Sequence, residues 1–235
     1  MVSRILVALD VARADQALSL AEKLQSHVLG FKIGLELLMG EGPSIVSRLA
    51  ELGSPVFVDA KLHDIPNTVG RSAERLGAVG ARWVTVHASG GEEMVRVAAE
   101  ALNESSGGHA GILAVTVLTS LDEFELARIG VNRPLDEQVT ALATAAAGAG
   151  AEGVVCAVTE ARLVQALGLG LIVVTPGIRP ANAEASDQRR VATPGAAIKA
   201  GSDLLVIGRP ITEAPDVVAA AISIADEIEA AVLTT

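Results

Sequence analysis

Phe57-Val58-Asp59-Ala60-Lys61-Leu62-His63-Asp64-Ile65-Pro66-Asn67-Thr68 begins as a strand and ends in charge. Val56, Phe57 and Val58 are apolar. Asp59 and Lys61 stand two apart, so an extended backbone sends both side chains out from one face. Asp64 follows where the strand runs out, and Pro66 suits the first turn of a helix but not a strand interior. An acid, a base and a second acid therefore crowd the carboxyl end of a segment that should be buried. Charges taken out of water are costly unless paired. The cluster reads either as a structural ion pair at a strand end or as a catalytic group in which a lysine works between carboxylates.

A buried strand of this kind needs a large core around it. Half of the 235 residues are apolar and 20% are charged, and α/β barrels reach this length as one domain. Three Phe, one Trp and no Tyr leave Val, Ile, Leu and Ala to fill that core. Such a mixture suits parallel strands covered by helices on both faces. The net charge of −10 argues against nucleic acid or an anionic membrane as the main partner, so an anionic ligand must meet locally placed cations. Cys156, inside Val154-Val155-Cys156-Ala157-Val158, reads as a small buried hydrophobe rather than a nucleophile. Residues 1–4 lead straight into a strand without a secretory pattern, and no apolar stretch is long enough to span a bilayer. A cytoplasmic location is the expectation.

Strands are expected over residues 5–9, 28–33, 56–60, 82–87, 112–118, 153–158, 171–175 and 203–207. Helical spacing and helix punctuation mark 13–26, 43–52, 67–79, 92–103, 122–129 with 135–147, 160–167, 195–200 and 215–233. A helical segment after every strand predicts an α/β fold with a parallel sheet. Eight such units in this length predict a closed (β/α)8 TIM barrel, a single domain over residues 1–235. An open doubly wound sheet is the alternative that the pattern leaves standing.

Asp10, Lys32, Asp59, Lys61, His87, Thr119, Arg179 and Arg209 all fall at or near the carboxyl ends of these strands, and in a barrel those ends share the face that carries the active site. Strands must exit into polar loops in any case, which accounts for Thr119 or His87. It accounts poorly for Lys32, Asp59 and Lys61, which lie within or beside apolar runs. The loops after the seventh and eighth strands bring Gly177 with Arg179 and Gly208 with Arg209. Glycine lets backbone N–H groups approach an oxyanion, and arginine can grip a phosphate through two parallel hydrogen bonds. A phosphate-bearing substrate is expected. His87 reads as a hydrogen-bonding wall and His63 as a support. No Cys/His pair has zinc spacing, and the carboxylates leave a Mg²⁺ site open.

Asp59-Ala60-Lys61-Leu62-His63-Asp64-Ile65-Pro66-Asn67-Thr68 resembles the Asp-x-Lys-x-x-Asp-Ile-x-x-Thr signature of the orotidine 5′-phosphate decarboxylase family. The likeness extends to Val86-His87-Ala88-Ser89-Gly90-Gly91, Thr116-Val117-Leu118-Thr119-Ser120, Thr175-Pro176-Gly177-Ile178-Arg179-Pro180, Asp187-Gln188-Arg189-Arg190 and Val206-Ile207-Gly208-Arg209-Pro210. The resemblance implies a homodimeric barrel that decarboxylates orotidine 5′-phosphate to uridine 5′-phosphate, the last step of de novo pyrimidine nucleotide synthesis, with no metal or other cofactor. It implies Lys61 as proton donor, Asp59 beside the substrate carboxylate, and a charge network of Lys32, Asp59, Lys61 and an Asp64 lent by the other subunit. Asp10 and Lys32, with the neighbour's Thr68, would bind ribose hydroxyls. Thr119 or Ser120 would meet the base, and Arg179, Gln188, Gly208 and Arg209 the phosphate. Two other readings stand beside it: a sister barrel enzyme that uses Mg²⁺ to hold an enediolate, and a silent barrel that only binds a nucleotide.

Overall fold

The computed structural model describes residues 3–180 and 192–234. In chain order the elements are β1 (Ile5–Ala8), α1 (Ala14–Leu24), β2 (Gly30–Ile33), α2 (Leu35–Glu41), α3 (Ser44–Ala50), β3 (Val56–Leu62) and α4 (Pro66–Ala78). There follow β4 (Trp83–His87), a 3-10 turn (Ala88–Gly90), α5 (Glu92–Ser105), β5 (Gly111–Val115), α6 (Glu123–Arg128), α7 (Leu135–Gly148), β6 (Gly153–Val155) and α8 (Val158–Ala166). The chain continues through β7 (Ile172–Thr175), α9 (Pro194–Lys199), β8 (Leu204–Ile207), α10 (Arg209–Thr212) and α11 (Val217–Val232). Each strand pairs in parallel with the next, and β8 pairs back onto β1, which closes the barrel. The open sheet is thereby ruled out.

Strand alternation sorts the core into two layers. Ile5, Val7, Phe31, Ile33, Val56, Val58, Val84 and Val86 point outward and pack with the buried faces of the helices. Leu6, Phe57, Trp83, Leu113 and Val174 point inward and form a separate cluster that fills the barrel. Two residues further along β1, β3 and β4, the inward face turns polar or small: Ala8 and Asp10 after Leu6, Asp59 and Lys61 after Phe57, Thr85 and His87 after Trp83. On these three strands the same period that fills the floor with apolar side chains thus builds the mouth from small and polar ones.

The amino end of the barrel is closed differently. Arg82 donates to both carboxylate oxygens of Glu152, with Nη1 2.7 Å from Oε2, and its guanidinium lies 4.3 Å from the centre of the Trp83 ring. Between them β5 begins at Gly111, where an added Cβ would lie within 2.7 Å of the Glu152 Cβ. Glycine there is what lets Glu152 reach across to Arg82.

Several boundaries depart from expectation. The third strand runs on to Leu62, with a register shift against β4 between Val58 and Leu62. The fifth strand stops at Val115, and the sixth at Val155 because the backbone N–H of Ala157 is taken by Glu160 Oε2 at 2.9 Å, opening α8 two residues early. Two short helices were unforeseen, α2 before the expected helix at Pro43 and α10 at Arg209. No helix among the described residues is long and apolar enough to cross a membrane.

Candidate active site

A cavity of about 450 Å³ opens at the carboxyl ends of the strands. Its floor is Phe57, Val155 and Val206, and its walls carry Asp10, Lys32, Asp59, Lys61, Thr119, Arg179, Gly208 and Arg209. Eight of the eleven residues expected at the site therefore line one space, supplied by six different strands and their loops.

The two lysines enter as ion pairs. Lys32 is 7% exposed, and its Nζ donates to Asp10 Oδ1 at 2.7 Å. Gly34 leaves room for this pair, since a Cβ there would lie 3.1 Å from Lys32 Nζ and 3.3 Å from Asp10 Oδ1. Lys61 Nζ donates to Asp59 Oδ2 at 2.7 Å. The other oxygen, Asp59 Oδ1, accepts from the Thr85 hydroxyl at 2.9 Å, and Thr85 Oγ1 in turn accepts the backbone N–H of Lys61 at 2.9 Å. Lys61 has φ 47°, the one positive value outside glycine among the described residues. This left-handed conformation costs a non-glycine residue about 1–2 kcal/mol, so the surrounding bonds must hold it.

His87 ends β4 near this cluster, with its ring centre 5.3 Å from that of His63. Burial holds the His87 imidazole below its ordinary range; the nearby His63 and Lys61 push the same way, and Asp59 pushes back. Cys156 lines the cavity but is buried, and that burial drives its thiol well above the usual range, which fits a packing role.

The arginine side rests on two loops. Gly177 has φ 81°, a value suited to glycine, and its carbonyl accepts from Ala192 N while Arg179 N donates to the Ala192 carbonyl. Residues 177–179 are thus stitched to the segment entering α9. Gly208 precedes α10, and its carbonyl accepts from the N–H groups of Ile211 and Thr212. Glu213, at the end of α10, also lines the cavity and was not expected there.

Asp64 and Thr68 stand apart from this cavity. Both are exposed, Asp64 Oδ1 accepts from the N–H of Ile65 at 2.6 Å, and Thr68 borders a separate surface depression along α4 with Arg71 and Arg75. Gln188, with Arg189 and Arg190, lies outside the described residues. Among the described residues no group of three or more His, Cys, Asp or Glu is placed to hold a metal ion. Thr85 escaped the sequence reading, although a threonine at the inward position between Trp83 and His87 in an otherwise apolar strand was the available signal.

Comparison with known proteins agrees with this geometry. The family described as "Orotidine 5′-phosphate decarboxylase / HUMPS family" matches residues 3–224. Relatives named orotidine 5′-phosphate decarboxylase include one from Paramagnetospirillum magneticum, 46% identical over 92% of this chain and 94% of the relative. Another, from Anaeromyxobacter sp. (strain K), is 48% identical over 94% of this chain and 96% of the relative. The crystal structure of orotidine 5′-phosphate decarboxylase from Lactobacillus acidophilus superposes with a TM-score of 0.84 at 37% identity, covering 96% of this chain and 99% of that one.

Proposed function

Because the chain belongs to the orotidine 5′-phosphate decarboxylase / HUMPS family, we infer that it is a carboxy-lyase that converts orotidine 5′-phosphate to uridine 5′-phosphate. One observation carries the reading: two lysine–aspartate pairs and two arginines line a single cavity above an apolar floor. Cleavage of the bond from C6 to the carboxylate releases CO₂ and leaves an electron pair on a ring carbon that no carbonyl delocalises directly. The Lys61 ammonium supplies positive charge next to that carbon and then transfers a proton from Nζ to it; solvent restores the proton. Asp59, on the same oxygen pair that orients Lys61, faces the substrate carboxylate. Asp10 and Lys32 bind ribose hydroxyls, and Thr119 meets the base. Arg179, Gly208, Arg209 and Gln188 take the phosphate, whose binding energy holds the ring against Lys61.

The cation that stabilises the carbanion belongs to the protein, so the reaction proceeds without metal. Two copies of the chain form the working unit, and Asp64 and Thr68, exposed on the chain that carries them, complete the neighbour's site. The test is the loss of orotidine monophosphate absorbance with and without prior EDTA treatment. Full turnover after EDTA supports the reading, and a requirement for added Mg²⁺ overturns its metal-independent step. A chain that leaves the substrate unchanged under both conditions overturns the activity.

A further inference from the structure

We propose that Thr85 is a positioning residue for the decarboxylation, an inference that rests on the function just given. Thr85 is fully buried, and its hydroxyl has one proton to give and lone pairs to receive. Both capacities are used on the reacting pair: the proton goes to Asp59 Oδ1 at 2.9 Å, and the oxygen accepts Lys61 N–H at 2.9 Å. Lys61 Nζ then meets the second oxygen of Asp59 at 2.7 Å, which closes a ring of three hydrogen bonds through residues 59, 61 and 85. Two linked features make that ring necessary. Lys61 holds a left-handed backbone, φ 47°, and the pairing of β3 with β4 slips between Val58 and Leu62. Regular strand pairing therefore does not fix the backbone at residue 61. The Thr85 oxygen takes the amide of Lys61 in its place. The same atom sets the rotation of the Asp59 carboxylate, and through it the direction from which the ammonium approaches the ring carbon.

Thr85→Val keeps the shape and removes the hydroxyl, whereas Thr85→Ser keeps the hydroxyl and removes the methyl. With the reacting groups misaligned but the arginines and floor intact, Thr85→Val should lower kcat about 10- to 100-fold with KM within about threefold of wild type. Thr85→Ser should recover kcat to within about threefold of wild type. Thermal midpoints of both variants, measured alongside, separate a folding defect from a loss of alignment. Retention of near wild-type kcat by Thr85→Val overturns the proposal. So does equal damage in both variants that follows their thermal midpoints, because the hydroxyl then has no role of its own. A wild-type chain that does not decarboxylate orotidine monophosphate overturns the functional reading and this proposal with it.

Discussion

Lys61 joins the proposed proton transfer and the one left-handed backbone outside glycine among the described residues. Its alanine variant removes the ammonium and leaves the arginine loops untouched. Lys61→Ala should therefore lose at least about 10³-fold in kcat while still binding uridine monophosphate, a split that steady-state kinetics and product titration resolve. His87 offers a second test. Its imidazole is held below the ordinary value of 6.5 by burial first and by His63 and Lys61 next. A group lowered in this way takes its proton more readily in the unfolded chain, so it contributes stability above pH about 6.5 that is lost as pH falls through the native value. The thermal midpoint should drop between pH 7.5 and 5, and His87→Asn should shrink that drop. At this scale the sequence was informative where period and charge coincide: Asp59 and Lys61 could be placed on one face from their spacing alone. The left-handed backbone at Lys61 could not, since it arises from the slip against β4, a tertiary event.

The close approach of β2 to the chain entering β3 makes a prediction of its own. An added Cβ at Gly30 would lie 2.3 Å from the Pro55 carbonyl oxygen, which itself accepts from Phe31 N at 3.0 Å. That oxygen cannot move without breaking the ladder. Gly30→Ala should destabilise by about 1–3 kcal/mol, seen as a fall of about 3–10 °C in the thermal midpoint. Eight alternating units were legible because long periodic helices such as α5 and α7 separate the apolar runs. The short elements were not. Val154-Val155-Cys156-Ala157-Val158 has no period that tells a strand from the start of a helix, and Glu160 resolves it by capping Ala157. In α2, Gly40 and the chain reversal at Gly42, φ 70°, hid a helix of seven residues behind glycine punctuation.

On the scale of the whole molecule, a net charge of −10 coexists with a cavity that gathers Lys32, Lys61, Arg179 and Arg209. The barrel achieves this by bringing carboxyl ends from distant parts of the chain to one rim, and strand order made that convergence readable from sequence. Asp64 and Thr68 lie exposed and outside that cavity, and the proposed dimer assigns them to the neighbour's site. If each site is shared across a dimer, Lys61→Ala and Asp64→Ala variants, each nearly inactive, should complement when mixed and re-equilibrated. Random reassortment leaves half the dimers mixed with one intact site each, so about a quarter of wild-type activity should return. Activity that stays at the level of the separate variants would place both residues in the same subunit's site. At the far end of the barrel, Arg82 reaches Glu152 across Gly111, beyond the apolar plug and away from the cavity. That separation gives an engineer a free hand: the underside can be rewired, fused to another protein or hardened against heat while the cavity rim is left as it stands.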